Sequence, residues 1–352
     1  MPHNLGGIPH CGRGRHARFC REDDGWAVLP AAPDWLAAPY LENGFTLKAE
    51  AEPWLLNTNY DGGVDRSAAA AIQHVMTVAG DYTFAAWPQV TCAMLHAALD
   101  RNPADDDLYS YVFDHYTPVD PRRYYGVVVE RLTLRATGTG DGDVQLTAGL
   151  RGQREVEQDD LEVGDFDYTA IDAVPFMHAH SVLQLNTVDV ADVEDWELTV
   201  DNVVEIGPWQ PHAETDLGVV SYLVSCSREI TLTLTKLNRD ANLNEILRAA
   251  GQTSFEALFT HPLGHVLHIQ LPRLIVPRSP EDGTPDKKAR ENPTLTATRA
   301  IGEASAIIWG CDLIAGGATT LEPLTTTTEE PTTTTTEEPT TTEEPTTTTA
   351  GE

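Results

Sequence analysis

Between residues 126 and 151 hydrophobic and polar positions alternate with a period of two. Leu132 and Leu134 point one way and Arg131, Thr133 and Arg135 the other, while Leu146, Ala148 and Leu150 alternate with Gln145, Thr147 and Arg151. That period predicts half-buried antiparallel strands. Residues 138–143, Gly-Thr-Gly-Asp-Gly-Asp, tolerate positive φ and predict the turn joining 126–136 to 144–150 as a hairpin. The clearest strand is 229–235, where Ile230, Leu232 and Leu234 alternate with Thr231, Thr233 and Thr235. A second hairpin is predicted from 264–276, crossing a charged loop at 277–293 and returning on 294–301.

The order of these elements repeats. Residues 45–49 lead to Glu52, Pro53 and Trp54, as 196–200 lead to Gly207, Pro208 and Trp209. A longer loop, a strand (81–86 and 229–235), a short helix (about 90–99 and about 243–250) and a hairpin follow in each half. Asn242 and Glu245 have the spacing of a capping box, Leu243, Ile246, Leu247 and Ala250 share one helical face, and Gly251 stands where a helix ends. Internal similarity at this scale points to architecture before chemistry. The fold class expected is mainly β: two tandem β-sandwich domains, each with a short flanking α-helix, followed by a disordered Thr/Glu/Pro tail.

The boundaries expected are a flexible basic N-terminal arm at 1–34, a first β domain at 35–158, an acidic linker at 159–174, a second β domain at 175–314 and the tail at 315–352. The arm carries Arg13, Arg15, Arg18 and Arg21 with no acid before Glu22, and is expected to order on a partner. The tail is Thr runs broken by Glu-Glu-Pro, with nothing to bury. The loop between Trp54 and Gly80, containing Tyr60 and Asp61, is long enough to suggest a function, and 68–71 a helical turn only when packed.

Formal net charge is −31, from 54 acidic and 23 basic residues, of which four are lysine. Residues 325–352 hold seven glutamates and no basic residue, so the remainder still carries −24. This argues against a protein that grips nucleic-acid phosphates, which needs clustered positive charge. It suits a passage through which DNA slides without sticking, and equally a soluble protein in a salty medium. No apolar run approaches the roughly 18 residues of a membrane span, and residues 1–20 lack the apolar core of a signal peptide, so no membrane anchor and synthesis in a cytoplasm are expected.

Cysteines at 11, 20, 92, 226 and 311 are odd in number and scattered, against a disulfide framework in a chain this large. No Walker loop, Gly-x-Ser-x-Gly elbow, His-Glu-x-x-His or Cys-x-x-Cys pair is present, so no enzyme and no cofactor are expected. Cys11, Cys20, His10 and His16 match no common zinc spacing, and Gly138, Asp141 and Asp143 offer too few oxygens for calcium, leaving a plain hairpin turn and no metal. His178 and His180 are expected on a strand, and His265 and His268 on opposite faces of another. Trp54 and Trp209 each follow Pro and are expected to pack at a loop base or to anchor a neighbouring subunit.

The stretches 125–134 and 144–153, with Pro175-Phe176 and 194–202, resemble the tail tube (major tail) proteins of phages with long, non-contractile tails, over residues 40 to 312 at most. The resemblance implies β-sandwich units with a flanking helix, stacked rings, and a lumen lined by strands through which DNA passes without specific binding. Two tube-type units in one chain imply a homotrimer forming a pseudo-hexameric ring, with tape measure and terminator proteins as further partners, in a virion tail assembled in the host cytoplasm. Trp54, Tyr60, Asp61, Trp209, Gly138, Asp141 and Asp143 are the expected assembly residues. The rival readings are an adhesion protein of two β-sandwiches on a Thr-rich stalk, a tail-end ring such as a terminator or baseplate hub, and an enzyme using Asp/Glu pairs on a β-sandwich.

Overall fold

A computed structural model describes residues 15–56, 70–103, 106–138, 142, 144–190, 193–211, 218–237, 252–275, 290–291, 294–299 and 305–314. The first half supplies β1 (His16–Arg21), β2 (Leu36–Ala37), β3 (Lys48–Leu56), β4 (Ala70–Ala85), the helix α1 (Pro88–Leu99), β5 (Arg101–Asn102), β6 (Asp107–Leu108), β7 (Tyr111–Tyr116), β8 (Arg122–Thr137), β9 (Val144–Gly152) and β10 (Arg154–Glu157). The second supplies β11 (Ser181–Leu185), β12 (Val188–Asp189), β13 (Val193–Ile206), β14 (Trp209–Pro211), β15 (Gly218–Val220), β16 (Leu223–Leu237), β17 (Gln252–Thr260), β18 (Val266–Ile275), β19 (Arg290–Glu291), β20 (Thr294–Ala297) and β21 (Ile308–Asp312). The architecture is mainly β, as the alternation predicts.

Strand pairing follows the same order in both halves. β1 pairs with β7 as β11 pairs with β17, and β7 pairs with β8 as β17 pairs with β18. One side of β8 is lined by β9 and then β10, as one side of β18 is lined by β20 and then β21. β4 joins β3 to β9 as β16 joins β13 to β20. The halves meet where β8 pairs antiparallel with β13, from Thr137 opposite Asp195 to Arg131 opposite Asp201. Buried residues of both halves belong to one hydrophobic cluster.

α1 begins on Pro88, whose fixed φ suits the first helical position. Its Ala, Met and Leu side chains are buried, and no acid lies in its first turn. The other end is held by the second half of the chain. Arg228 donates to the carbonyls of Leu99 (2.7 Å) and Ala98 (2.9 Å) and to Asn202 Oδ1 (2.8 Å). Asn202, fully buried, donates from Nδ2 to the carbonyls of Ala98 (3.0 Å) and Val129 (3.1 Å). The carbonyls that a helix end leaves open are thus met by a cation and an amide from β16 and β13. Burial pulls the Arg228 pKa down to about 10, so the guanidinium keeps its charge at neutral pH.

Several expectations change. Residues 16–21, placed in the basic arm, form β1. Arg18 and Arg123 both bind the fully buried Asp114, with Arg18 Nη2 at 2.9 Å and Arg123 Nε at 2.6 Å, and both guanidiniums lie over the Trp35 ring. A buried carboxylate needs such partners, and the arm's arginine is one of them. Of the expected loop from 55 to 80, the described residues 55–56 and 70–80 are strand: Leu55 and Leu56 pair with Ala71 and Ala70, so positions 70–71 of the expected helical turn lie in β4, while 57–69 lie outside the described residues. His178 and His180 lie in a 3-10 turn before β11. The linker includes a 3-10 turn at Val163–Asp165. Among the described residues, the hairpin expected between 264–276 and 294–301 is present where Leu274 and Ile275 meet Ala297 and Thr296. The main partner of β18 is β17, whose Thr253, Phe255, Ala257 and Phe259 point into the core. The helix expected at 243–250 lies outside the described residues.

Gly126, at φ +62°, turns β8 between its two sets of partners, and a side chain there would press on Gln153 and Trp26. Its N–H and that of Ala27 donate to the buried Glu22 at 2.8 and 2.7 Å. A disulfide, not expected from the cysteine spacing, joins Cys92 of α1 to Cys311 of β21.

The bond closes a loop of 219 residues, for which the chain-entropy relation gives roughly 5 kcal/mol. Reduction, or Cys92→Ser, is expected to lower the thermal midpoint by several degrees, and peptide mapping should find Cys92 and Cys311 resistant to alkylation until reductant is added. Equal melting with and without reductant would remove this role.

Acid should destabilise the fold. Burial, reinforced by nearby Arg15, pushes the His115 imidazole down from 6.5 to about 4, and burial lowers His178 and His261 as well. The folded pKa lies below the unfolded one, so the unfolded chain takes up the proton first as pH falls. The stability held by neutral His115 is complete above about pH 6.5 and lost between 6.5 and 4, by up to roughly 3 kcal/mol. Urea midpoints measured across that window are expected to fall, and to fall less for His115→Gln.

Candidate functional site

The sheet that runs through the junction carries two sharply different faces. In one register row Thr83 of β4 stands opposite Thr147 of β9, which stands opposite Thr133 of β8. Thr133 faces Thr199 of β13, Thr199 faces Thr231 of β16, and Thr231 faces Thr296 of β20. Six strands from both halves thus place threonine at one level. Adjacent hydroxyls of Thr83 and Thr147 are 3.1 Å apart.

The next row along the strands points to the other face. It reads Phe84, Leu146, Leu134, Leu198, Leu232 and Leu295 in the same strand order, and each of the six is at most 1 % exposed. Alternation of side chains across a pleated strand produces this separation when, and only when, all six registers agree. β-branched threonine suits the strand backbone and presents a hydroxyl without a charge.

Charged rows flank the threonines. One contains Asp81, Gly149, Arg131, Asp201 and Glu229, and the other Gln145, Arg135, Glu197, Thr233 and Thr294. Arg131 Nη2 binds Asp201 at 2.7 Å across the junction, and that hydrogen bond raises the arginine's pKa. Arg151 binds Glu130 at 3.0 Å. The two flanking rows hold four carboxylates against two arginines, so the face leans acidic and its arginines have acidic neighbours. Exposed pairs of this kind add little stability. Their effect is to occupy cations that would otherwise be available to an anion.

The assembly residues expected from the sequence do not form one site. Gly138 is exposed at the end of β8, where its N–H donates to Glu194 O at 2.5 Å and a Cβ would meet that oxygen and the His178 ring. Trp209 opens β14 opposite Val220 and is 40 % exposed. It lies beyond the far end of β13, so the two mark opposite ends of the ladder. Trp54 sits on β3 opposite Ile72, beside a bulge at Glu52 and Pro53. β15 pairs in parallel with β4, Gly218 opposite Val75, which brings this part of the second half beside β4. Tyr60, Asp61, Asp141 and Asp143 lie outside the described residues. His265 precedes β18 and is buried beside Asp172 at 2.8 Å, while His268 lies on β18 beside Glu256 at 2.9 Å.

The threonine row was not singled out by sequence reasoning, although a signal was present. Leu and Thr are neighbours at 132–133, 146–147, 198–199, 231–232 and 295–296. Only the register shows that these dipeptides lie side by side.

Burial raises the Cys20 thiol to about 12, which leaves it unreactive at neutral pH. Among the described residues no group of three metal-ligating side chains comes together, and no described helix is long and apolar enough to cross a membrane.

No curated protein matches the chain by sequence. The profile of a family described as "Phage tail tube protein" matches residues 12–308, which takes in β1 through β20 and both ends of the threonine row. A match over most of the chain places it in the phage tail tube protein family, as a structural protein of the tail.

Proposed function

We propose that this chain is the repeating subunit of a tail tube, that copies of it close into rings which stack, and that the threonine face lines the conduit through which phage DNA leaves. The observation that carries the reading is the unbroken polar row across six strands and both halves, flanked by paired charges with an acidic excess. DNA binding draws its strength from cations that displace counterions along the phosphates. A wall of hydroxyls, with Arg131 bound to Asp201 and Arg135 opposite Glu197, provides few such cations, and its acidic excess keeps the duplex from adhering.

The repeated pairing order supports two tube-type units per chain. On this reading the β8 to β13 ladder is a unit-to-unit junction made within one chain, and a like junction between chains closes the ring. Heterologous contacts related by rotation give closed rings, and three chains of two units give the symmetry of six. Tape measure and terminator proteins are the partners this assembly calls for, and the host cytoplasm is where it would form.

Purified chain is expected to sediment as a species of about three times the 38.4 kDa chain mass, and to show rings or tubes in negative stain. Replacing Thr133 and Thr199 with arginine should leave the rings intact, because both side chains point away from the core. It should also give the assembled tubes a salt-sensitive affinity for duplex DNA that the natural chain lacks. A chain that remains monomeric at high concentration would sink the assembly reading. Arginine-substituted tubes that still ignore DNA would sink the conduit face.

A further inference from the structure

The stretch His261-Pro-Leu-Gly-His265 turns the chain from β17 into β18. Gly264 takes φ +94°, and the turn is closed from both ends: His261 N–H donates to His265 O and Gly264 N–H to His261 O, each at 2.8 Å. Both histidines are buried, at 1 % and 4 % exposure, and their rings lie 5.2 Å apart. A buried imidazole needs a partner for each nitrogen. The partners come from the linker, from the turn itself and from the end of β21.

Those partners fix where the protons sit. His261 Nε2 stands 2.8 Å from Val174 O, which can only accept, so Nε2 carries the hydrogen and Nδ1 accepts from Leu263 N–H at 3.2 Å. His265 repeats the arrangement. Its Nδ1 accepts from Ile314 N–H at 2.9 Å, and its Nε2 donates to Asp172, 2.8 Å away. In both rings the donating nitrogen holds the linker and the accepting nitrogen holds a backbone N–H. The titratable groups facing the pair are Asp172 of the linker, His180 of the turn before β11 and each other's ring. From α1 comes the uncharged Gln89, which donates to Asp172, and the one carboxylate of β21, Asp312, is exposed opposite Val266.

We infer that the two rings form an acid-released latch on the end of β21, in which a proton taken up at Nδ1 lets go of Ile314 and Leu263 while the linker stays fastened. A neutral imidazole accepts on one nitrogen, whereas an imidazolium donates on both. A hydrogen on Nδ1 therefore sets one N–H against another in a buried place, and the backbone N–H has to move off. The bonds to Val174 O and Asp172 survive, because the nitrogens that make them already carry hydrogen. Burial lowers the His261 pKa below the usual 6.5. The stability that its neutral ring supplies is thus complete above the unfolded value and is lost as pH falls through the folded one, so the latch is closed at neutral pH. Ile314, whose side chain rests against Gly264 where a Cβ would clash with it, is the residue from which the chain continues into 315–352. Release stops short of β21 itself, since Cys311 is bonded to Cys92 and Trp309 Nε1 donates to Asp100 at 3.2 Å.

The test measures hydrogen exchange of the full chain at about pH 7.5 and about pH 5, the range over which a histidine changes charge, and compares it with His265→Asn. The asparagine Oδ1 can accept where Nδ1 did and takes up no proton. Natural and variant chains should exchange alike at Ile314 in the neutral sample. In the acidic sample the natural chain should exchange there about tenfold faster, the change that one pH unit of titration brings, with no such difference in the β8–β13 ladder. A second readout needs no variant: the amide protons of Ile314 and Leu263 should shift upfield with the same midpoints as the ring nitrogens of His265 and His261. Equal exchange at Ile314 in acid, a difference shared by the whole ladder, amide shifts that ignore the ring midpoints, or neutral rings carrying their hydrogen on Nδ1 would each overturn the latch.

Discussion

The pairing of β8 with β13 fixes everything else in this sheet. Side chains on a strand change face at every residue, so a slip of one position would turn Leu198, Leu232 and Leu295 outward and bury Thr199, Thr231 and Thr296 beneath them. Seven consecutive pairs, from Asp195 opposite Thr137 to Asp201 opposite Arg131, hold the register. Both ends are clamped. At one, Gly138 donates to Glu194 O, in a space that a side chain would fill. At the other, Asn202 reaches across to the carbonyl of Val129 on β8 while it and Arg228 hold the end of α1. A slip would leave Asn202 and Arg228 without these carbonyls in a buried setting, at a cost of several kcal/mol.

The same clamp explains why the first half keeps a helix that is poorly provided for at its own ends. α1 has no side-chain cap at its start and no acid in its first turn. Its stability comes from burial of nearly every side chain, from the carbonyl contacts made by Arg228 and Asn202, and from the Cys92–Cys311 bond. All these supports but the first come from the second half. The helix that packs under β8 therefore depends on β13, β16 and β21, and the two halves are energetically one body although their pairing order repeats.

The strands were legible wherever alternation was regular. The hairpin at 126–150, the strand around 229–235 and the helix near 90–99 follow directly from period and turn chemistry. β1 was hidden because its polar residues are stabilised by distant ones: Arg18 is a core-lining residue only once Asp114, Arg123 and Trp35 surround it. β17 alternates as cleanly as β9, but it follows a segment read as helix. The threonine row could not be read from the sequence, since alternation gives the face of each strand and says nothing of how six strands align. Of the proposed assembly residues, the Pro-Trp pattern at 208–209 did lead to an exposed aromatic. Its register partner is the buried Val220 of β15, which the sequence pattern does not show.

Why the row is threonine in so acidic a chain follows from spacing. Neighbouring strands lie about 4.8 Å apart. Carboxylates at that separation repel by about 0.9 kcal/mol per pair in bulk water and about 3.5 kcal/mol at the effective dielectric of a protein surface. Five such contacts in a line would oppose the ladder that the leucine row beneath stabilises. The flanking rows do carry charge, but there Gly149 and Arg131 separate Asp81 from Asp201, Arg135 and Thr233 stand either side of Glu197, and the one directly opposed pair of carboxylates in them, Asp201 and Glu229, has Arg131 bound to Asp201. A central neutral row lets the sheet bear an acidic face without a column of like charges running across its strands. Serine would also be neutral, but it lacks the β-branched carbon that favours extended backbone. Threonine meets both conditions, and the strand pairings place it at that level in all six strands.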